Sequence, residues 1–228
     1  MAKASGKTPG GKPRRKSAGK TSPGRTSAAG RAAGDPATAA IAAAMRLAAD
    51  KGWRGLTLAE IADAAGLSLA ELHALYPSRQ AILDGLRHAV DRAVLAGGPV
   101  TEGPARVRLF EILMRRFDAL EPWRPGIVAV VEGNSRDPAA ILCGSVGLVC
   151  SMASTLEAAG IDSSGIRGLV RAKALATAWL PALRVWLSDE SDDHAATMAS
   201  LDRGLRRLDT VARWCRAPFV ARAKPEEA

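Results

Sequence analysis

Aromatic residues are scarce in this chain: five Trp, three Phe and one Tyr among 228 residues. Alternating runs of β-branched residues are scarcer still, which argues against sheets and predicts an all-α protein. Cysteine occurs only at Cys143, Cys150 and Cys215. An odd, sparse set excludes a disulfide framework, lacks metal-ligand spacing and fits a reducing compartment, so a cytoplasmic location is expected. Cys143 and Cys150, seven apart on one helix face, are expected to be small buried hydrophobes. Histidine is confined to His73, His88 and His194, on separate segments. There is no Gly-rich phosphate loop and no nucleophile motif. No catalytic residue, cofactor or metal site is therefore expected. The acidic turn Asp189, Glu190, Asp192, Asp193 beside His194 is better explained as the start of the last helix. There Asp192 or Asp193 would serve as the cap.

Acidic residues are absent from residues 1–34, which hold Lys3, Lys7, Lys12, Arg14, Arg15, Lys16, Lys20, Arg25 and Arg31. These nine cations equal the net charge of the whole chain, +9, so the remainder is neutral. Leu, Ile, Val, Phe, Tyr and Trp are also absent from residues 2–34. That excludes the apolar core of a secretory signal and the amphipathic helix of a presequence. Residues 1–34 are expected to form a disordered basic tail. Charge is missing too from Pro138 to Leu156, but Gly144, Gly147 and several Ser dilute the run, and its flanks lack interfacial aromatics. A buried helix is expected there rather than an integral membrane segment.

What is present is helical period with explicit start and stop signals. Asp35-Pro36 opens a helix that runs to about Lys51 and stops at Gly52, with Ile41, Ala44, Met45 and Ala48 on one face. "TLAEIADAAGLSLAELHALYPS", Thr57 to Ser78, then contains two capping boxes, Thr57-x-x-Glu60 and Ser68-x-x-Glu71. They bracket two short helices joined at Gly66. Leu58, Ile61, Ala62 and Ala65 form the inner face of the first; Leu72, Leu75 and Tyr76 form that of the second. Ala81, Ile82, Leu86, Val90 and Val94 line a longer helix after Pro77-Ser78. Beyond the Gly-Pro-rich loop 97–104, Val107, Phe110, Leu113, Met114, Phe117 and Leu120 mark a helix of about sixteen residues. Pro122 and Pro125 end it, and a short helix follows near Gly126–Glu132. Three long helices remain: Pro138–Ala159, apolar all round and so central; Gly165–Leu187, with a kink expected at Pro181; and one ending near Trp214.

Two short capped helices meeting at a glycine turn match a helix-turn-helix, in which a small residue and a turn Gly permit a steep crossing. Residues 36–84 resemble the TetR family of bacterial regulators. The resemblance lies in Gly52-Trp53, the Thr57 cap, "EIADAAGLS", Leu72 and "LYPSRQAIL". It implies an all-α protein with a three-helix helix-turn-helix DNA-binding domain, 35–84. A helical-bundle ligand-binding and dimerisation domain, 85–216, and a tail, 217–228, would follow. The implied partners are a palindromic double-stranded DNA operator, a second copy of the chain and an apolar small-molecule or lipid effector. Thr57 and Ser68 would meet phosphates, as would Arg79, which matches a basic residue that the family points at the DNA backbone. Leu69, Ala70, Glu71, His73 and Ala74 would lie along the bases. Leu69 stands where Lys is common, and Glu71 either completes its capping box or accepts from cytosine. The tail would supply the phosphate attraction that the neutral remainder lacks, or act only as a solubilising arm.

Candidate walls of the effector pocket are Phe117, Trp123, Leu142, Val146, Val149, Met152, Trp179 and Leu183. Dimerisation is expected through the last two helices, using Leu180, Leu183 and Leu187 with Leu201, Leu205 and Leu208. A second resemblance covers Arg184–Leu208, "RVWLSDESDDHAATMASLDRGLRRL". It is similar to the end of the TetR-fold lipid-binding accessory proteins of ubiquinone biosynthesis. That alternative implies a lipid pocket and an amphipathic last helix that approaches membranes.

Overall fold

The first four helices begin where side chains can take up the first free amides. In the computed structural model, which describes residues 35–135, 138–191 and 193–216 and leaves out the side chains of 138–143 and 211–216, the Asp35 carboxylate accepts from the Ala37 amide at the start of α1 (Pro36–Lys51). The tails 1–34 and 217–228, and the side chains of Leu142, Cys143 and Cys215, lie outside the described residues. The order continues as α2 (Leu58–Ala65), α3 (Leu69–Leu75), α4 (Arg79–Ala96), α5 (Ala105–Leu120), a 3₁₀ turn (Glu121–Trp123), α6 (Arg124–Asn134), α7 (Pro138–Ala158), α8 (Gly165–Trp186) and α9 (Ala195–Arg216). The all-α reading holds, and no strand occurs among the described residues. Among them, too, no helix is long and apolar enough to cross a membrane.

Two clusters of buried side chains organise these helices. The first joins Ile41, Ala44, Met45 and Ala48 of α1 to Ile61 and Ala62 of α2, Leu72 of α3 and Ile82, Leu86, Val90 and Val94 of α4. Helix α6 lies against α1 so closely that a methyl group on Gly126 would sit 2.5 Å from the Met45 carbonyl oxygen. Only glycine permits that approach. The second cluster joins α5, α7, α8 and α9 through Leu113, Phe117, Met152, Leu175, Trp179, Trp186, Leu201 and Leu205. Phe117 stacks on Trp179 with ring centroids 4.2 Å apart. Such burial contributes roughly 1.5–3 kcal/mol per large side chain.

A polar network crosses between the clusters. Asp91 of α4 pairs with Arg116 of α5 at 2.7 Å and accepts from the Ser151 hydroxyl of α7 at 2.8 Å. Arg116 also donates to the Thr155 hydroxyl at 3.3 Å. All four residues are buried. Burial lowers the pKa of Arg116, and the neighbouring carboxylate opposes that shift. A buried pair of this kind is costly to break singly, because the remaining charge has no solvent.

Three sequence expectations need correction. Helix α7 is not central: Ser151, Met152, Thr155 and Leu156 face inward, while Val146 is 61% exposed. A helix apolar all round has no preferred face in its sequence, so packing decides, and among its described side chains the buried ones begin at Ser151. Cys150 accordingly lies on the exposed side. Leu75 is also exposed, because α3 ends there and Tyr76 turns inward over Gly85. The start of α9 is held chiefly by Asp189, whose carboxylate accepts from the Thr197 amide at 3.0 Å and its hydroxyl at 2.7 Å. Asp193 contributes a bond from the Ala195 amide, as expected.

Candidate nucleic-acid interface and effector cleft

Each helix of the α2–α3 pair is too short to be stable alone, and each carries a complete capping box. Thr57 Oγ1 accepts from the Glu60 amide at 3.3 Å, while Glu60 Oε2 accepts from the Thr57 amide at 3.0 Å and its hydroxyl at 2.9 Å. The Thr57 bonds, together with Lys51 at 3.1 Å, lower the Glu60 pKa to about 2. Gly66 ends α2 at φ 69°, a left-handed conformation that L side chains rarely adopt. The chain then turns directly into Ser68. Leu72 is wholly buried and fastens α3 to the core.

The opposite side of α3 is open. Leu69, Ala70, Glu71, His73 and Ala74 are all exposed, and Leu69 is 51% so. The structure therefore brings the expected base-facing residues onto one short helix, with Thr57 and Ser68 exposed at the two helix starts. Glu71 is engaged: its Oε2 accepts from the Ser68 amide at 2.8 Å and the Ser68 hydroxyl at 2.7 Å. These bonds lower its pKa, the amide bond most. Its carboxylate thus closes the helix start.

Arg79 occupies a different position from one reaching out to a phosphate. Its Nη1 donates to the carbonyls of Trp53 at 2.7 Å and Arg54 at 3.0 Å, and its guanidinium lies 5.6 Å from the centre of the Trp53 ring. Arg54 in turn donates from Nε to the Gly133 carbonyl of α6 at 3.0 Å. These two arginines pin the α1–α2 connection to α4 and α6. Between Gly55 and Ser78 the charged residues are Glu60, Asp63 and Glu71, with no Lys or Arg. The unit has the shape of a DNA reader with little of the usual charge.

The residues expected to wall a pocket do not converge on one. Phe117, Met152 and Trp179 are packed solid in the second cluster, with Val149 and Leu183 at its edge. Trp123 packs at the edge of the first cluster, and Val146 faces out. A cleft of about 490 Å³ lies instead between the N-terminal halves of α5 and α8 and the C-terminal parts of α7 and α9. Leu109, Leu156, Ile161, Val170, Leu205 and Leu208 line it, and Arg106, Arg167 and Arg171 stand on its rim. That volume is in the usual range for small-molecule sites. Sequence reasoning missed these residues. The available signal was Ile166, Leu169 and Val170, apolar residues set off the buried face of α8.

Comparison with known proteins agrees with this architecture. Residues 40–86 match the model of the bacterial regulatory proteins of the tetR family. A TetR transcriptional regulator from Nitrosomonas europaea ATCC 19718 superposes with a TM-score of 0.62 at 23% identity, covering 79% of this chain and 99% of that one. A TetR transcriptional regulator from Rhodococcus sp. RHA1 gives 0.57 at 19% identity, covering 76% and 94%. A tetR-family transcriptional regulator from Streptomyces coelicolor gives 0.54 at 19% identity, covering 79% and 82%. No curated protein matches. Residues 40–86 thus carry the domain that the tetR-family model describes, and the described helices have the fold of solved tetR-family regulators.

Proposed function

We propose that this protein is a homodimeric, cytoplasmic DNA-binding transcriptional regulator, not an enzyme, whose helices beyond the helix-turn-helix hold an apolar effector. The observation that carries the reading is the α2–α3 pair: two explicitly capped helices, a left-handed Gly66 turn and an α3 whose outer side is wholly solvent-facing. In this reading Leu69, Ala70, His73 and Ala74 face base edges, and Ala70 and Ala74 suit thymine methyl groups. Thr57, Ser68 and the helix-start amides meet phosphates. Because Gly55–Ser78 is acidic, the nine cations of residues 1–34 supply most of the attraction to the duplex. Dimerisation uses the outward side of α8 toward its C-terminal end, where Leu180 is 51% exposed. Leu201 and Leu205 of α9 are buried in their own chain, which also disfavours an α9 that presents its apolar side to membranes.

The test is selection from a random duplex library by the full-length, effector-free protein at low salt. Enrichment of a palindrome is expected. Removing residues 1–34 should weaken binding to every sequence and flatten its salt dependence, whereas Ala74→Asn should change the preferred base by roughly 1–3 kcal/mol at one position. Absence of any enriched sequence would remove the regulator reading.

A further inference from the structure

The cleft between α5, α7, α8 and α9 has two chemically distinct parts. Its floor is aliphatic: Leu109, Leu156, Leu205 and Leu208. Its rim carries three guanidinium groups, from Arg106, Arg167 and Arg171, against one lining carboxylate, Asp209. Arg106 is paired with Asp202. Arg171 is held by the Asp162 carbonyl at 2.7 Å and its carboxylate at 3.3 Å. Arg167 makes no hydrogen bond or ion pair with another described residue. We propose that this cleft binds a single-chain amphiphile with an anionic head, such as an alkyl carboxylate: the chain on the leucine floor, the head at Arg167 and Arg171. The inference deepens the effector reading above and rests on it.

Charge selects the occupant. A neutral apolar molecule would fill the floor but leave Arg167, the rim arginine not already paired to a described carboxylate, without a partner. A cationic amphiphile would meet like charge. A second copy is a poorer fit here, since pairing about a two-fold axis through this N-terminal half of α8, away from Leu180, brings Arg167, Arg171 and Lys173 toward their own equivalents. An acid gains on both counts: its chain leaves water along the floor, and its head gains charge-assisted bonds at the rim, where guanidinium geometry suits a carboxylate.

The experiment is calorimetric titration of the full-length protein with decanoate, decan-1-ol and decyltrimethylammonium, three probes with one tail. Decanoate is expected to bind about tenfold more tightly than the alcohol, and the ammonium not at all. Arg167→Ala should erase most of the acid's advantage while leaving the alcohol's affinity in place. Ala174→Trp, which fills the cleft from α8, should abolish both, with helical content checked by circular dichroism. Equal affinity for all three probes, decanoate binding untouched by Ala174→Trp, or no binding at all would overturn the proposal. So would partition onto phosphatidylglycerol vesicles without binding of monomeric decanoate, which would mean a membrane surface is recognised. Library selection on the same preparation separates the two readings: DNA selectivity without decanoate binding removes the cleft's ligand alone, and decanoate binding without DNA selectivity removes the regulator alone.

Discussion

The α2–α3 and α8–α9 pairs each join helices that are consecutive in the chain, yet they are held by opposite means. Helices of eight and seven residues cannot support themselves, so α2 and α3 each carry a reciprocal cap, and only Ile61, Ala62 and Leu72 are buried between them. Helices α8 and α9 have 22 residues each. Ser164 makes no side-chain cap bond at the start of α8, whose Ala172, Leu175, Trp179, Ala182 and Trp186 are buried. Short helices depend on local hydrogen bonds, and long ones on what they pack against. The short pair therefore keeps most of α3's surface free for a partner, whereas the long pair is held by the large side chains that it buries in the core.

The largest effect that would test this contrast is at Trp186. It is wholly buried, its indole N–H donates to Glu121 Oε2 at 2.9 Å, and Arg124 lies 5.3 Å over its ring. Trp186→Ala should cost near the upper end of about 3–5 kcal/mol, read as a lower urea midpoint with an unchanged slope. Next comes Asp91→Ala, expected to cost about 3 kcal/mol by stranding Arg116. The double variant Asp91→Leu/Arg116→Met should recover most of that loss, because it removes both charges. Ser68→Ala should cost only about 1 kcal/mol. A loss as large as that of Trp186→Ala would break the contrast between local and packed stabilisation.

The smallest effect is in acid. Glu60 has its pKa lowered from 4.5 to about 2 by Thr57 and Lys51. A depressed carboxylate contributes stability that is fully present above its unfolded value and is lost as pH falls through the folded one. The α2 cap should thus weaken between pH 4.5 and about 2, followed by the carboxyl ¹³C shift of Glu60, with Thr57→Ala moving that midpoint up toward the ordinary value.

What sequence reveals follows the same division. The caps at Thr57 and Ser68, the Gly66 stop and the Leu72 anchor lie within a few residues of one another, so their spacing alone predicts them. Asp91 and Arg116 sit among apolar residues, 25 positions apart, and only the folded packing of α4 against α5 makes them a pair. The cleft was less legible still. It arises where α8 and α9 leave space beside α5, a property of helix placement that no single helix's period encodes. Trp179 and Phe117 looked like pocket walls because large aromatics suit either role; their stacking at 4.2 Å leaves no room between them.

The joint at Trp53 and Arg54 has a further consequence for how this protein tolerates change. Its two donors are arginine side chains, but its three acceptors, the carbonyls of Trp53, Arg54 and Gly133, are main chain. A peptide carbonyl is present whatever residue bears it. The joint's acceptors are thus indifferent to mutation, except that a methyl at Gly133 would come within 3.1 Å of Trp53 Cβ. Its whole vulnerability rests on Arg54 and Arg79, and a search for matched opposite charges would pass it by.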